Sequence, residues 1–153
     1  MLTGILSLLM LLQVAPTDVF KKEMAPLQSA VDAVVTPVVA RVLQSSKASQ
    51  LEGYGVVVTV EVTLEIPRTP FSSSAAAGEI QASVARRRKD LTDKMRAFVK
   101  ERVTTMASVA SAESLTVIVH VANFNLADLP NLPKQILFTA KKEAPDEVSI
   151  REF

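Results

Sequence analysis

Hydrophobic and polar positions alternate most cleanly in residues 53–66, "GYGVVVTVEVTLEI". Tyr54, Val56, Val58, Val60, Val62, Leu64 and Ile66 fall on one side of an extended chain. Gly55, Val57, Thr59, Glu61, Thr63 and Glu65 fall on the other. A period of two in a run rich in β-branched residues predicts a strand over 54–66 with one buried face, ended by Pro67. Residues 114–124 alternate in the same way, but both faces are partly apolar, which predicts a central strand. A third strand is expected at 135–142, with Ile136, Phe138 and Ala140 on one face.

The period changes to 3.6 in two places. From Glu79 to Val109, Ile80, Val84, Leu91, Met95, Phe98, Arg102 and Met106 fall in line with Val99 and Val103 alongside, predicting a long helix over 79–109. Arg87 and Arg88 interrupt that stripe, and their aliphatic stems are expected to cover the seam while their heads reach water. Leu27, Val31, Val34, Val35, Val38, Val42 and Leu43 predict an N-terminal helix over 23–45, with Pro26 in its first turn and a kink or break at Pro37. Polar residues 45–52 then read as the end of that helix. The expected fold class is α+β: a two-layer domain with a small mixed three-stranded sheet and both helices on one face. The strand–helix–strand unit predicts a parallel crossover, and the last two strands an antiparallel hairpin. One domain is expected over 21–143, with 144–153 a charged, loosely attached tail.

Composition narrows the chemistry. A chain of 153 residues with net charge +1 and 48% hydrophobic residues can bury a core, and it is no global attractor for nucleic acid. The absence of cysteine removes disulfide and thiolate chemistry. Residues 1–14 are uncharged and mostly Leu, Ile, Met and Val. That length fits the apolar region of an export signal better than a membrane span of ~20 residues. The missing basic residues before it, and the poor cleavage motif Gln13-Val14-Ala15, leave three readings of 1–20: a signal, which is favoured, an uncleaved anchor, or an apolar helix of the domain.

Candidate chemistry is sparse. Gly53-Tyr54-Gly55 runs into a strand rather than a helix, so it reads as the start of that strand, with Tyr54 on the core side, and not as a phosphate loop. Glu61 and Glu65 would stand ~13 Å apart along a strand, beyond the ~5–9.5 Å of hydrolytic carboxylate pairs. His120 is the single histidine. It would lie near Glu61 if the first two strands are neighbours, which makes a hydrogen-bonded pair rather than a metal site. Ser72, Ser73 and Ser74 lack nucleophile-elbow glycines and read as loop or capping residues. No catalytic, metal or cofactor residue is assigned.

The most basic segment, "RRRKDLTDKMRAFVKER" at 86–102, offers Arg86, Arg87, Arg88, Lys89, Arg96 and Lys100 as anion-binding candidates. The spacings Arg86–Asp90, Lys89–Asp93 and Asp90–Lys94 equally suit ion pairs on a solvated helix face. "LADLPNLPK" reads either as a partner loop or as a connection whose leucines cover the core.

The apolar N-terminus together with "LEGYGVVVTVEV", "LTVIVHV" and "LPKQILFTAKK" resembles a group of uncharacterised exported bacterial proteins, over about residues 50–142. The resemblance implies export to the periplasm or beyond and supplies no catalytic residues. The functional expectation is an exported, non-enzymatic structural or partner-binding domain, membrane-associated through residues 1–20, with a protein partner or a second copy meeting a sheet edge. The alternative is a protein that binds nucleic acid or an anionic surface through helix 86–102, with nucleic acid the less favoured ligand.

Overall fold

The computed structural model describes residues 17–66, 71 and 76–153. It is an α+β fold of two helices and a five-stranded mixed sheet, in the order α1 (Asp18–Val35), β1 (Arg41–Leu51), β2 (Gly55–Thr63), α2 (Ala77–Thr105), β3 (Ser114–Ala122), β4 (Gln135–Lys141) and β5 (Ala144–Glu152). The strands lie in sequence order across the sheet. β2 and β3 are parallel, joined by α2, and every other neighbouring pair is antiparallel. The α+β class, the parallel crossover and the β3–β4 hairpin agree with the sequence reading.

Valine builds the centre. Val56, Val58, Val60 and Val62 of β2 and Leu115, Val117 and Val119 of β3 are almost fully buried against Phe20, Leu27 and Val31 of α1 and Leu91, Met95 and Val99 of α2. Each such side chain contributes about 1.5–3 kcal/mol by leaving water. Branched side chains suit the pleated surface, and one apolar cluster joins both helices to the same sheet face.

Four expectations need correction. The sheet has five strands, not three, because both outer strands carry weak patterns. Residues 41–51 form β1 rather than the end of a helix, since α1 stops at Val35 and Pro37 lies in the turn beyond it. Helix α1 starts at Asp18, so Pro26 sits in its interior, on the exposed side, where the carbonyl it leaves unpaired meets water. Residues 144–152 are not a loose tail but strand β5, which pairs with β4 from Ile136↔Glu152 to Lys141↔Ala144. Val148 and Ile150 pack against the core.

The segment expected as a signal or anchor lies mostly outside the described residues, but its last four belong to the domain. Thr17 caps α1 by accepting from the Phe20 N–H, and Phe20 is buried. Among the described residues no helix is long and apolar enough to cross a membrane.

Candidate functional site

The helices cover one sheet face, and among the described residues no layer covers the other. On that helix-free face the pairing places Gln44, Glu61, His120 and Gln135 in one row across β1 to β4. Lys47, Thr59, Ile118, Leu137 and Arg151 form the next row, now reaching β5. His120 and Glu61 are therefore cross-strand neighbours, as their alternation suggested. The hydrogen bond of His120 runs elsewhere: Gln135 Nε2 donates to Nδ1 at 3.3 Å, which puts the proton of a neutral ring on Nε2. Gln44, Lys47, Thr59, Glu61 and His120 line a shallow cleft of about 340 Å³. It can hydrogen-bond a small polar group. Among the described residues no group of three or more His, Cys, Asp or Glu side chains is placed to hold a metal ion.

Glu65 does not share a solvated face with Glu61. The chain leaves β2 after Thr63, Glu65 is 6% exposed, and its Oε1 accepts the Phe124 N–H at 2.7 Å. The carboxylate thus ties the ends of the two parallel strands together.

Gly53 and Gly55 have φ of 72° and 122°, so this stretch is a tight turn between β1 and β2. A Cβ on Gly55 would stand 2.0 Å from the Ser114 carbonyl oxygen, so glycine is required for β2 to meet β3. Tyr54 turns to the helix-free side, contrary to the expected core position. It is 45% exposed, and its hydroxyl hydrogen-bonds Thr116 Oγ1 at 2.9 Å, which in turn bonds Thr139 Oγ1 at 2.9 Å. Turn geometry decides this; alternation alone does not show it.

The basic helix is largely engaged with its own domain. Arg87 donates to the Leu64 carbonyl at 3.1 Å and to Ser83 Oγ at 2.8 Å. Arg88 pairs with Glu152 through two guanidinium nitrogens. Lys100 pairs with Asp146 at 2.5 Å and Lys89 with Asp93 at 2.6 Å. The heads of Arg87 and Arg88, expected in water, instead fasten α2 to the end of β2 and to β5. Arg86 and Arg96 lie on the exposed side of α2. Leu129 and Leu132 of the proline-rich loop cover the core, while Leu126 is 69% exposed.

The two sheet edges are built differently. On β1 the register slips between Val42 and Gln44 and again between Gln44 and Lys47. Beside the second slip, Ser46 N–H donates to Asp32 Oδ1 at 2.9 Å, and its carbonyl accepts from Gln28 Nε2 at 2.8 Å. Helix α1 has closed that part of the edge. β5 slips once against β4, between its pairs at Thr139 and Lys141, and is regular from Ser149 onward, where Phe153 and Gln135 exchange both backbone bonds. Antiparallel alternation then turns the N–H and C=O of Glu152 and Ile150, which oppose Ile136 and Phe138, away from β4. Sequence reading missed this edge because it missed the strand; the signal was the alternation of Val148 and Ile150, masked by Pro145 and four charges.

The chain matches no family model, no curated protein and no solved structure.

Proposed function

We propose that this chain is a non-enzymatic partner-binding domain that works outside the cytoplasm, exported by its N-terminal segment or held by it at a membrane surface. The observation that carries the reading is the β5 edge, open among the described residues, whose outward backbone groups can accept an added strand while the other edge is closed at Ser46 by α1. Export rests on the apolar run before Pro16 and on the resemblance to exported bacterial proteins. Because Arg87, Arg88, Lys89 and Lys100 serve internal contacts, binding of nucleic acid or an anionic surface through α2 is the weaker reading.

The test is expression of the full chain in bacteria with its native N-terminus, read by intact mass and cell fraction. A shortened periplasmic product, or a full-length product in the membrane fraction, is the expected result. A full-length cytosolic product overturns the export half of the reading. For the basic helix, Arg86→Glu with Arg96→Glu should leave salt-titrated binding to a polyanion unchanged; loss of strong binding would favour the alternative.

A further inference from the structure

We infer that the strand added to β5 is the β5 of a second copy of this chain, joined antiparallel about a two-fold axis at Ser149. The inference rests on the strand-accepting reading of that edge and names its partner. Its basis is the order Glu147-Val148-Ser149-Ile150-Arg151, which is complementary to itself when reversed. With Ser149 opposite its own copy, Glu147 of each chain stands across from Arg151 of the other, twice by symmetry. Val148 likewise meets Ile150.

The backbone parity agrees with this register. Ile150 turns its N–H and C=O outward. The ladder to β4 slips just before Ser149, but Val148 packs on the core like Ile150, and this side-chain alternation carries the same parity one step past the last regular pair. The Val148–Ile150 pair is then a hydrogen-bonded one, each residue exchanging both backbone bonds with its opposite. Ser149 meets Ser149 in the open pair between. Both apolar side chains are half-buried against the core of their own chain, so joining the edges extends that core across the axis.

Charge also selects against the other registers. Centring the axis on Ile150 keeps the parity but sets Glu147 opposite Phe153 and Arg151 opposite Ser149, losing both ion pairs. Pairing β5 with β1 meets the slipped register and the α1 contacts at Ser46, and it would grow without closing. The two-fold arrangement closes at a dimer with one continuous sheet. Nearby acidic groups on β5 are already matched within the chain, Glu152 by Arg88 and Asp146 by Lys100. Among the described residues that leaves Glu147 and Arg151 for the partner.

The experiment is sedimentation of the full chain over a concentration series, with Glu147→Arg, Arg151→Glu, the double variant, and a mixture of the two single variants. The wild type should reach a dimer and stop. Each single reversal sets like charges opposite each other twice and should weaken self-association by about ten- to thirty-fold. The double variant should restore it, and the two single variants should pair with each other, since every facing position is then complementary. Association driven by the apolar N-terminus would ignore these charges. A monomeric wild type, growth beyond the dimer, or indifference to both reversals overturns the inference. Amide exchange on the monomer then judges the underlying reading. Fast exchange at Ile150 and Glu152 leaves an open edge for another strand, and slow exchange means the edge is closed, so the binding reading falls as well.

Discussion

The two edge strands have similar lengths, but their residues treat the edge in opposite ways. β1 is polar and irregular: it slips register twice against β2, and Asp32 and Gln28 of α1 take the backbone of Ser46. β5 carries more charge and slips once against β4, between the pairs at Thr139 and Lys141, yet its side chains alternate from Glu147 to Arg151 and it is braced from behind by two ion pairs to α2. Polarity alone therefore does not close an edge. Closure comes from a partner for the backbone groups, and the helix above β1 supplies one. Above β5 the helix takes only side chains and leaves the backbone free.

That contrast requires a rigid sheet between the two edges, and the most damaging change is the one that pries it apart. Gly55→Ala places a methyl group 2.0 Å from the Ser114 carbonyl at a φ of 122°, where an L side chain is strained. We expect a loss of about 3 kcal/mol or failure to fold, read from the urea midpoint. An unchanged midpoint would mean that β2 and β3 do not meet at Gly55. Next in size is Asp32→Ala, which strips the acceptor from Ser46 N–H. It should cost about 2 kcal/mol, as for a hydrogen bond to a charged group. It should also speed Ser46 amide exchange toward the rate of the open edge. If Ser46 stays protected, α1 is not what closes β1.

These contrasts mark where the sequence is legible. The strands at 54–66, 114–124 and 135–142 and the helix at 79–109 were readable because burial on a central strand or a long amphipathic helix enforces a period. Edge strands escape that rule. β1 has adjacent Val42 and Leu43 followed by polar residues, so its strand state comes from β2 and α1 and not from its own pattern. β5 hides its alternation behind Pro145 and charge. The shared row of Glu61 and His120 followed once β2 and β3 were taken as adjacent. The turn of Tyr54 and the burial of Glu65 depend on the chain path at strand ends, which periodicity does not encode.

A smaller effect tests the end of the molecule where α1 meets the α2–β3 connection. Burial raises the pKa of Glu23, but hydrogen bonds from the Ser108 hydroxyl and from the N–H groups of Ala107 and Ser108, with the charge of Lys142, outweigh it and hold the carboxyl below its usual range. A depressed folded value means that the stabilisation is fully present above the unfolded glutamate pKa and is lost as pH falls through the folded one. Glu23→Gln should cost about 1 kcal/mol at neutral pH. The gap from wild type should shrink in acid, as followed by thermal unfolding. A gap that is constant with pH would rule out the carboxylate as its source.

The smallest effect on stability gives the finest test of the β5 edge. The Arg88–Glu152 pair is partly solvated, each side chain 36% exposed, so Arg88→Met should change stability by under about 1 kcal/mol. Its effect on self-association should be larger than its effect on folding. With the two-fold axis at Ser149, Glu152 lies opposite Asp146 of the second copy, two acids that are tolerable while Arg88 and Lys100 neutralise them. Removing Arg88 leaves a bare carboxylate facing an acid on both sides of the axis, and dimer dissociation should rise several-fold at low salt and recover as salt screens the charge. Equal, salt-independent losses in unfolding and in association would instead mean that Arg88 acts only by holding β5 to its own helix.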